Sequence, residues 1–520
     1  MSASAAVGPS IGAPYEPYLP RSAAGDHSPW LIAVIVSIAT FMEVLDTTIA
    51  NVSLRHIAGS LATSQDESTW ILTSYLVSNA IVLPISGWLA NVIGRKRFYM
   101  ICVVLFTVSS VLCAFATSLQ AMLIFRILQG IGGGGLAPVE QSMLADTFPP
   151  QKRAQVFALY GLTVVLAPAI GPVLGGLLTD NFSWRWVFLI NAPVGVLSLI
   201  LTGIFVNEPP ALRADRKRLL ADGLNVDYIG FALVALGFGT LQVVLDKYER
   251  DDGFNSPFIV WLSLICVVSL VTLMIWEWLH PQPVMNVRLM RFRPFAISSF
   301  IMFLIGFLLI STTQLLPQLT QELMGYDATT AGLTLGAGGL VTILVMPLSG
   351  IVTGRLIQPR WLLLGSLLVS AAALFNLSHM TIYESFWDVS KARAFQAVAL
   401  PFLFIPVSAV SYVGLPPQAS NEASAIINLM RNLGGSVGVS FVTAMLSWRS
   451  QFHHARLSEH ITAATDLGNR SLAQIGHAVQ TQASVMSYLD AFHVLAIIAL
   501  VVSPIVLFLP GLPRGAQIGH

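Results

Sequence analysis

Charge is what this sequence has least of. Asp, Glu, Lys and Arg make up 10% of its 520 residues, against roughly 25% in a soluble domain. A water-facing surface cannot be built from so few charges when 55% of the chain is hydrophobic, so most of it must face lipid or other buried helices. Acid and base nearly cancel, 26 against 27, which removes the basic excess that nucleic-acid binding requires. Cysteine is scarce as well. Cys102, Cys113 and Cys266 stand apart inside apolar runs, which excludes a disulfide framework and a cysteine zinc site. The phosphate-binding pattern G-x-x-x-x-G-K-[ST] is missing, so nothing marks an ATP-driven machine.

What the chain does have is long apolar runs. A helix needs about 20 apolar residues to cross roughly 30 Å of hydrocarbon. Fourteen such runs can be read: 30–52, 69–91, 99–117, 120–145, 154–179, 186–207, 226–246, 257–279, 295–320, 329–352, 361–381, 393–413, 424–447 and 489–510. The predicted fold class is an all-α polytopic membrane protein. Residues 1–29 are rich in Ser, Ala, Pro and Gly and read as a disordered tail rather than a cleaved leader; 511–520 form a second tail. With the first tail inside, the internal segments hold sixteen Lys and Arg and the external ones nine, Arg393 among them. That bias is the one cytoplasmic loops show, so both termini are expected in the cytoplasm. Segment 448–488 is expected to be a long polar external loop. Its Leu472, Ile475 and Val479 have the i, i+3, i+7 spacing of a short amphipathic helix.

The chain also echoes itself. Leu83-Pro84-Ile85-Ser86-Gly87 ends the second run, and Met346-Pro347-Leu348-Ser349-Gly350 ends the tenth, at an offset of 263. At nearly the same offset, Asp46-Thr47-Thr48 in run 1 falls near Ser311-Thr312-Thr313 in run 9. Two six-helix bundles, 30–207 and 295–510, separated by a linker and two inserted helices over 208–294, would give this spacing. Structural repeats of this kind mark secondary transporters, with the substrate site at the midplane between them.

Ionisable groups in hydrocarbon cost at least about 2.5 kcal/mol each and normally face a cavity where they act. Glu43 and Asp46 lie three residues apart, on one helical face. Two carboxylates this close repel when both are ionised, a useful property in a proton carrier. Run 4 adds Arg126 and Glu140, and run 13 adds Arg431. The bland alternative is a set of static ion pairs locking helices together. Glu140 lies fourteen residues beyond Arg126, about 21 Å along a helix, which predicts a place near the cytoplasmic mouth. There it either passes protons inward or attracts cationic drugs, or is simply an interfacial acid in water. Arg431 is expected to be structural. Thr47, Asn51, Gln141, Gln314, Gln318 and Asn428 are polar groups at membrane depth that either line a substrate cavity or tie helices together. Gly130-Ile131-Gly132-Gly133-Gly134-Gly135 matches G-x-G-x-x-G, but it sits inside an apolar run and not after a strand, so dinucleotide binding is rejected. Small residues here, and Gly171 and Gly175 in run 5, let helix backbones approach closely. Pro168 and Pro172 should bend run 5. His453, His454 and His460 form the one histidine cluster, best read as polar surface; no metal site is expected.

Several stretches carry a family resemblance. Gly87-Trp88-Leu89-Ala90-Asn91-Val92-Ile93-Gly94-Arg95-Lys96-Arg97 resembles the loop 2–3 signature of the major facilitator superfamily. Leu123 to Gly135, with Arg126, Gln129 and Gly130, resembles its span 4 motif, and Gly161 to Gly176 the span 5 motif of exporters. Leu45-Asp46-Thr47-Thr48-Ile49-Ala50-Asn51-Val52 is similar to the span 1 motif of drug:proton antiporters. Fourteen spans point to the 14-spanner branch. Trp186 to Gly195, Leu245-Asp246-Lys247, Leu316 to Leu319 and Gly414 to Pro417 resemble its EmrB type. One position departs: Asn91 stands where the loop signature usually has an acid, which puts a gating salt bridge there in doubt, although Arg95 and Lys96 remain.

The resemblance implies a major facilitator fold and proton-driven export of amphipathic organic compounds across the bacterial inner membrane. No cofactor is implied beyond the proton gradient. It also implies a periplasmic membrane-fusion adaptor leading to an outer-membrane channel, with loop 448–488 and the hairpin around Lys247–Phe254 as docking surfaces. An importer or facilitator on the same fold is the alternative, and it leaves the buried carboxylates harder to explain. A membrane enzyme would need a catalytic cluster near an interface.

Overall fold

The computed structural model describes residues 27–221, 226–353, 356–459 and 472–509. The predicted tails, His460 and Arg355 fall wholly or largely outside them. Among the described residues the chain is helical, with a single isolated β-bridge, Thr353 to Ile357, and no strand. In order the helices are α1 (Pro29–Val52), α2 (Leu54–Ser60), α3 (Gln65–Ser68), α4 (Trp70–Ile93), α5 (Arg95–Ala114), α6 (Leu119–Gly133), α7 (Leu136–Thr147) and α8 (Pro150–Asn181). Then come α9 (Arg185–Leu189), α10 (Asn191–Phe205), α11 (Pro210–Ala221), α12 (Tyr228–Lys247) and α13 (Pro257–Leu279). The last six are α14 (Arg293–Glu322), α15 (Ala328–Val352), α16 (Pro359–Leu377), α17 (Phe386–Val410), α18 (Ser420–Glu459) and α19 (Leu472–Val502).

Local chemistry explains many of the boundaries. Proline stands in the first turn of α1, α8, α13, α14 and α16, where its missing N–H is not needed. Side chains of Ser118, Asp227 and Asp327 cap α6, α12 and α15, and Ser385 with Asp388 forms a capping box on α17. Gly94 turns the chain from α4 into α5 with φ +97°, a conformation that a side chain would strain.

Twelve helical stretches among the described residues are long and apolar enough to cross a membrane, thirteen if bent α8 counts as one. The chain is a multi-pass membrane protein. Its α8 breaks by 42° where Pro168 ends one straight segment, as the missing N–H and ring clash demand. The run predicted at 424–447 is the middle of α18, where Asn428, Arg431 and Asn432 dilute the apolar character.

Two expectations need correction. Segment 448–488 is not a forty-residue loop with a short separate helix. Both flanking helices run on through it, α18 to Glu459 and α19 from Leu472; residues 460–471 lie outside the described ones. Asp490 ties the extensions together, accepting from Arg449 Nε at 2.6 Å and meeting His453 Nε2 at 2.7 Å. Arg393 is not an external basic residue either. The helix α17 starts at Phe386, seven residues earlier, and buries it to 5% exposure.

The repeat shows itself in the packing. Helix α4 crosses α18, and α15 crosses α8. A Cβ on Gly87 would stand 2.9 Å from Asn421 O, and one on Gly350 would stand 3.1 Å from Gln155 Cα. The two glycines of the repeated sequence therefore mark two places where the halves meet at backbone distance, both at the end of the bundle that carries Arg95–Arg97, called here the basic end. Helix α12 packs on α4 and touches α18 through Gln242, whose Oε1 accepts from Ser436 Oγ at 3.0 Å. Thr73 donates to Asp246, and Lys247 Nζ donates to Thr69 at 2.7 Å over the Trp70 ring. Helix α13 packs mainly on α12 and exposes most of its circumference, including Trp261 and Val267.

Within the first half, α6 presses against α4 at Gly130, where a Cβ would stand 2.1 Å from Ser78 Oγ and 2.4 Å from Tyr75 O. Gly171 and Gly175 of α8 meet α1 at Thr48 and Ile49 in the same way. Gly130→Val should therefore force α4 and α6 apart, an overpacking effect of about 1–3 kcal/mol. A fall in melting temperature in detergent, with early aggregation on size exclusion, checks it; wild-type behaviour would refute the close contact.

Candidate functional site

The densest polar cluster in the first half surrounds Asp46 of α1, which is 1% exposed. Its Oδ2 accepts from Arg126 Nη1 of α6 at 2.8 Å. Its Oδ1 accepts from Gln129 Nε2 at 3.0 Å and from Asn191 Nδ2, at the start of α10, at 2.6 Å. Arg126 is 0% exposed and held through Nε, Nη1 and the face of its guanidinium, while its buried Nη2 has no partner. Its Nε donates to Ile71 O at 3.0 Å and its Nη1 to Gln129 Oε1 at 2.8 Å, and its guanidinium lies 4.4 Å from the centre of the Tyr75 ring. Asn191 Nδ2 also reaches Ser110 Oγ at 2.9 Å. One carboxylate thus collects helices α1, α4, α5, α6 and α10.

Glu43 sits one turn from Asp46, as the spacing predicted, but does not touch Arg126. Its Oε1 accepts from Tyr75 Oη at 3.2 Å and Asn79 Nδ2 at 3.3 Å. Tyr75 therefore stands between the two acids, with its ring against the arginine and its hydroxyl on Glu43. Glu140 is not an interfacial acid in water. It is 0% exposed on α7 and its Oε1 accepts from Ser37 Oγ at 2.5 Å, while Oε2 has no partner. The reason is the break at Gly134–Gly135, which starts α7 afresh, and the packing of α7 on α1. Along α1, the levels of Ser37, Glu43 and Asp46 are about 9 Å and then 4.5 Å apart, so the three acids form a row.

A second chain of bonds crosses between the halves. Asn428 Nδ2 of α18 donates to Gln141 Oε1 at 2.7 Å, and its Oδ1 accepts from Tyr160 Oη of α8 at 2.9 Å. Arg431 Nη1 donates to the same hydroxyl at 3.0 Å. Gln141, Asn428 and Arg431 therefore tie helices in this conformation. The other predicted lining residues lie apart from them. Thr47 turns its hydroxyl onto Val44 O at 2.8 Å, Asn51 and Gln314 are exposed, and Gln318 donates to Glu322 at 3.1 Å.

At the basic end, Arg95 and Asp146 form an ion pair with both side chains buried, and Lys96 Nζ donates to Gly203 O at 2.9 Å. Asn91 faces the opposite half. Its Nδ2 donates to Glu422 Oε1 of α18 at 3.4 Å and its Oδ1 accepts from Asn421; Asn286 Nδ2 donates to Glu422 Oε2 at 2.7 Å. The acid at this contact is on α18, not on α4. The sequence alone does not single out Glu422, Tyr75, Asn79, Tyr160 or the roles of Gln129 and Asn191. The last two stood inside quoted motifs, so the signal was there without a partner to give it meaning.

A buried, caged ion pair inside a multi-pass helical bundle built from two similar halves is an arrangement of the kind secondary transporters use. Residues 36–439 match the family model described as the Major Facilitator Superfamily. The chain is 38% identical over 433 residues to the multidrug export protein EmrB of Haemophilus influenzae, covering 83% of each chain. It is 35% identical over 431 residues to the EmrB of Escherichia coli K12, again covering 83% of each. The solved human organic anion transporter MFSD10 shares the fold at a TM-score of 0.60 and 13% identity, covering 92% of this chain and 99% of that one. This chain belongs to the major facilitator superfamily and is an EmrB-type member of it.

The place of Asn91 yields a prediction. Asn91→Asp would set a second carboxylate against Glu422. Repulsion on the order of 1 kcal/mol shifts a two-state population about fivefold. Spectroscopic distances between labels on the basic ends of α4 and α18 should lengthen in a larger fraction of molecules, and Glu422→Gln should reverse the change. An unchanged distance distribution would refute the contact.

Proposed function

We propose that this chain is a proton-coupled antiporter that exports amphipathic, lipophilic organic compounds across the bacterial inner membrane by alternating access, with the basic end in the cytoplasm. The carrying observation is the Asp46 cage. A proton arriving on Asp46 removes the charge that Arg126, Gln129 and Asn191 point at, and so loosens the bonds joining α1 to α6 and α10. Arg126 would then stand in a low-dielectric site without its counter-charge, a costly state that favours rearrangement. Glu43 and Glu140 continue the row toward the basic end as proton relays. The export function of the EmrB relatives, as their names give it, supports the direction of transport. No cofactor enters; the proton gradient is the energy source. Asp46→Asn should reduce pH-gradient-driven efflux from reconstituted vesicles to the level of protein-free vesicles while exchange of drug for drug persists, and Glu43→Gln should slow it. Full gradient-driven transport by Asp46→Asn would end the assignment.

The chain is further proposed to work with a periplasmic adaptor that leads to an outer-membrane channel. With 40 residues, α18 is about 60 Å long, twice the roughly 30 Å of hydrocarbon. Its first turn packs at the basic end, so the surplus projects from the opposite side as a helical hairpin with α19. Deleting 455–482 removes the projection but keeps Arg449, His453 and Asp490. Transport in isolated vesicles should survive, while resistance in cells with two membranes should be lost. Loss of both would assign the projection to folding.

A further inference from the structure

A buried guanidinium without a carboxylate stands in the second half. Arg393 lies seven residues into α17, about 10 Å along the helix. Its Nη1 donates to Gln396 Oε1 at 2.6 Å, and its buried Nε has no partner. Among the described residues no carboxylate forms an ion pair with it. The hydroxyl of Ser390, one turn earlier on the same face, is buried and unpartnered too.

The internal repeat shows what is missing. Arg126 is the seventh residue after Leu119, where α6 begins, and Arg393 is the seventh after Phe386, where α17 begins. Gln129 and Gln396 each follow three residues later and accept from their arginine, at 2.8 and 2.6 Å. Arg126 rests on α4; Arg393 rests on α15, where a Cβ on Gly338 would stand 3.0 Å from its Nε. The acid alone has no counterpart, because α14 carries Ser311-Thr312-Thr313 where α1 carries Asp46-Thr47-Thr48. The first half holds its own counter-ion and the second does not.

We propose that Arg393 and Ser390, with Gln396 orienting the guanidinium, form the head-group subsite for an anionic amphipathic substrate, a carboxylate or sulfonate on a lipophilic body. The substrate's anion takes the place that Asp46 fills in the first half. An uncompensated guanidinium away from water favours an occupant that brings negative charge, and its planar fork accepts a carboxylate through two parallel bonds. The subsite rests on the exporter reading above, since it assigns the substrate class to that transporter.

The test compares wild type, Arg393→Gln and Arg393→Lys in phosphatidylcholine nanodiscs. Calorimetry measures binding of dodecanoate and of dodecyltrimethylammonium, which share a chain and differ in head-group charge. Arg393→Gln should lower the ratio of dodecanoate to ammonium affinity about 10- to 100-fold, with Arg393→Lys between it and wild type. An unchanged ratio, or a parallel loss of both ligands, would make Arg393 structural and overturn the subsite. Nanodiscs containing phosphatidylglycerol separate the other source of an anion: if that lipid abolishes dodecanoate binding to wild type, the site holds a lipid phosphate and the substrate reading falls. Efflux of a neutral lipophilic dye by wild type, driven by a pH gradient, tests the exporter reading on its own. Its absence would sink that reading whatever Arg393 binds, whereas dye efflux with an unchanged affinity ratio would sink the subsite alone.

Discussion

The rest of the molecule is organised around the cost of keeping one ion pair out of water. Asp46 and Arg126 are both buried, and removing one partner of such a pair costs about 3–5 kcal/mol because the other is left charged and alone. Every neighbour answers to that constraint. Gln129 bonds to both partners, Asn191 adds a donor to the acid, and Ile71 offers a carbonyl to the arginine. These residues come from four helices, so the pair can be satisfied only when the helices are correctly placed. The same requirement makes the arrangement sensitive to a single proton, since neutralising the acid alters the need for all of its partners together.

The contact between the halves obeys a different physics. Its closest approaches are made where side chains are absent. Gly87 and Gly350 let α4 and α15 meet α18 and α8 at backbone distance, and neutral or singly charged polar groups then cross the seam. Gln141, Asn428 and Tyr160 form a bonded chain, and Asn91 meets Glu422. Neutral bonds of this kind add about 0.5–1.5 kcal/mol each and those to the Glu422 carboxylate about 1.5–3 kcal/mol, less than the cost of breaking the buried pair at Asp46. Strong electrostatics inside one half and weaker hydrogen bonds between halves are consistent with the alternating access proposed above.

Asn91 illustrates how a departure from a family pattern can be compensated in space. The acid expected on α4 is missing, and an acid on α18, Glu422, occupies the facing position with Asn91 and Asn286 as its donors. Two carboxylates there would repel. The local pattern looked defective only because its partner lies more than three hundred residues away in the chain.

Much of this architecture is determined by the sequence alone. Lipid leaves the backbone no partner but itself, so apolar runs of sufficient length must become helices, and their order and approximate ends follow. Their number does not: fourteen runs can be read, and twelve or thirteen described helices meet the length and hydropathy of a span. The pairing of Glu43 with Asp46 on one face follows from helical geometry, and the repeated Pro-x-Ser-Gly pattern announced two related halves. Tertiary structure decided what those rules do not reach. Hydropathy along the chain says that an ionisable group is expensive but not which helix supplies its partner, so Asn191, Tyr75 and Glu422 gained their roles only in three dimensions. Polar composition between 448 and 488 suggested a loop, yet helices need not stop where the membrane does, and α18 and α19 continue because they pack on each other. Arg393 reversed its reading for the same reason: near the end of an apolar run it looked external, and only the start of α17 at Phe386 put it inside.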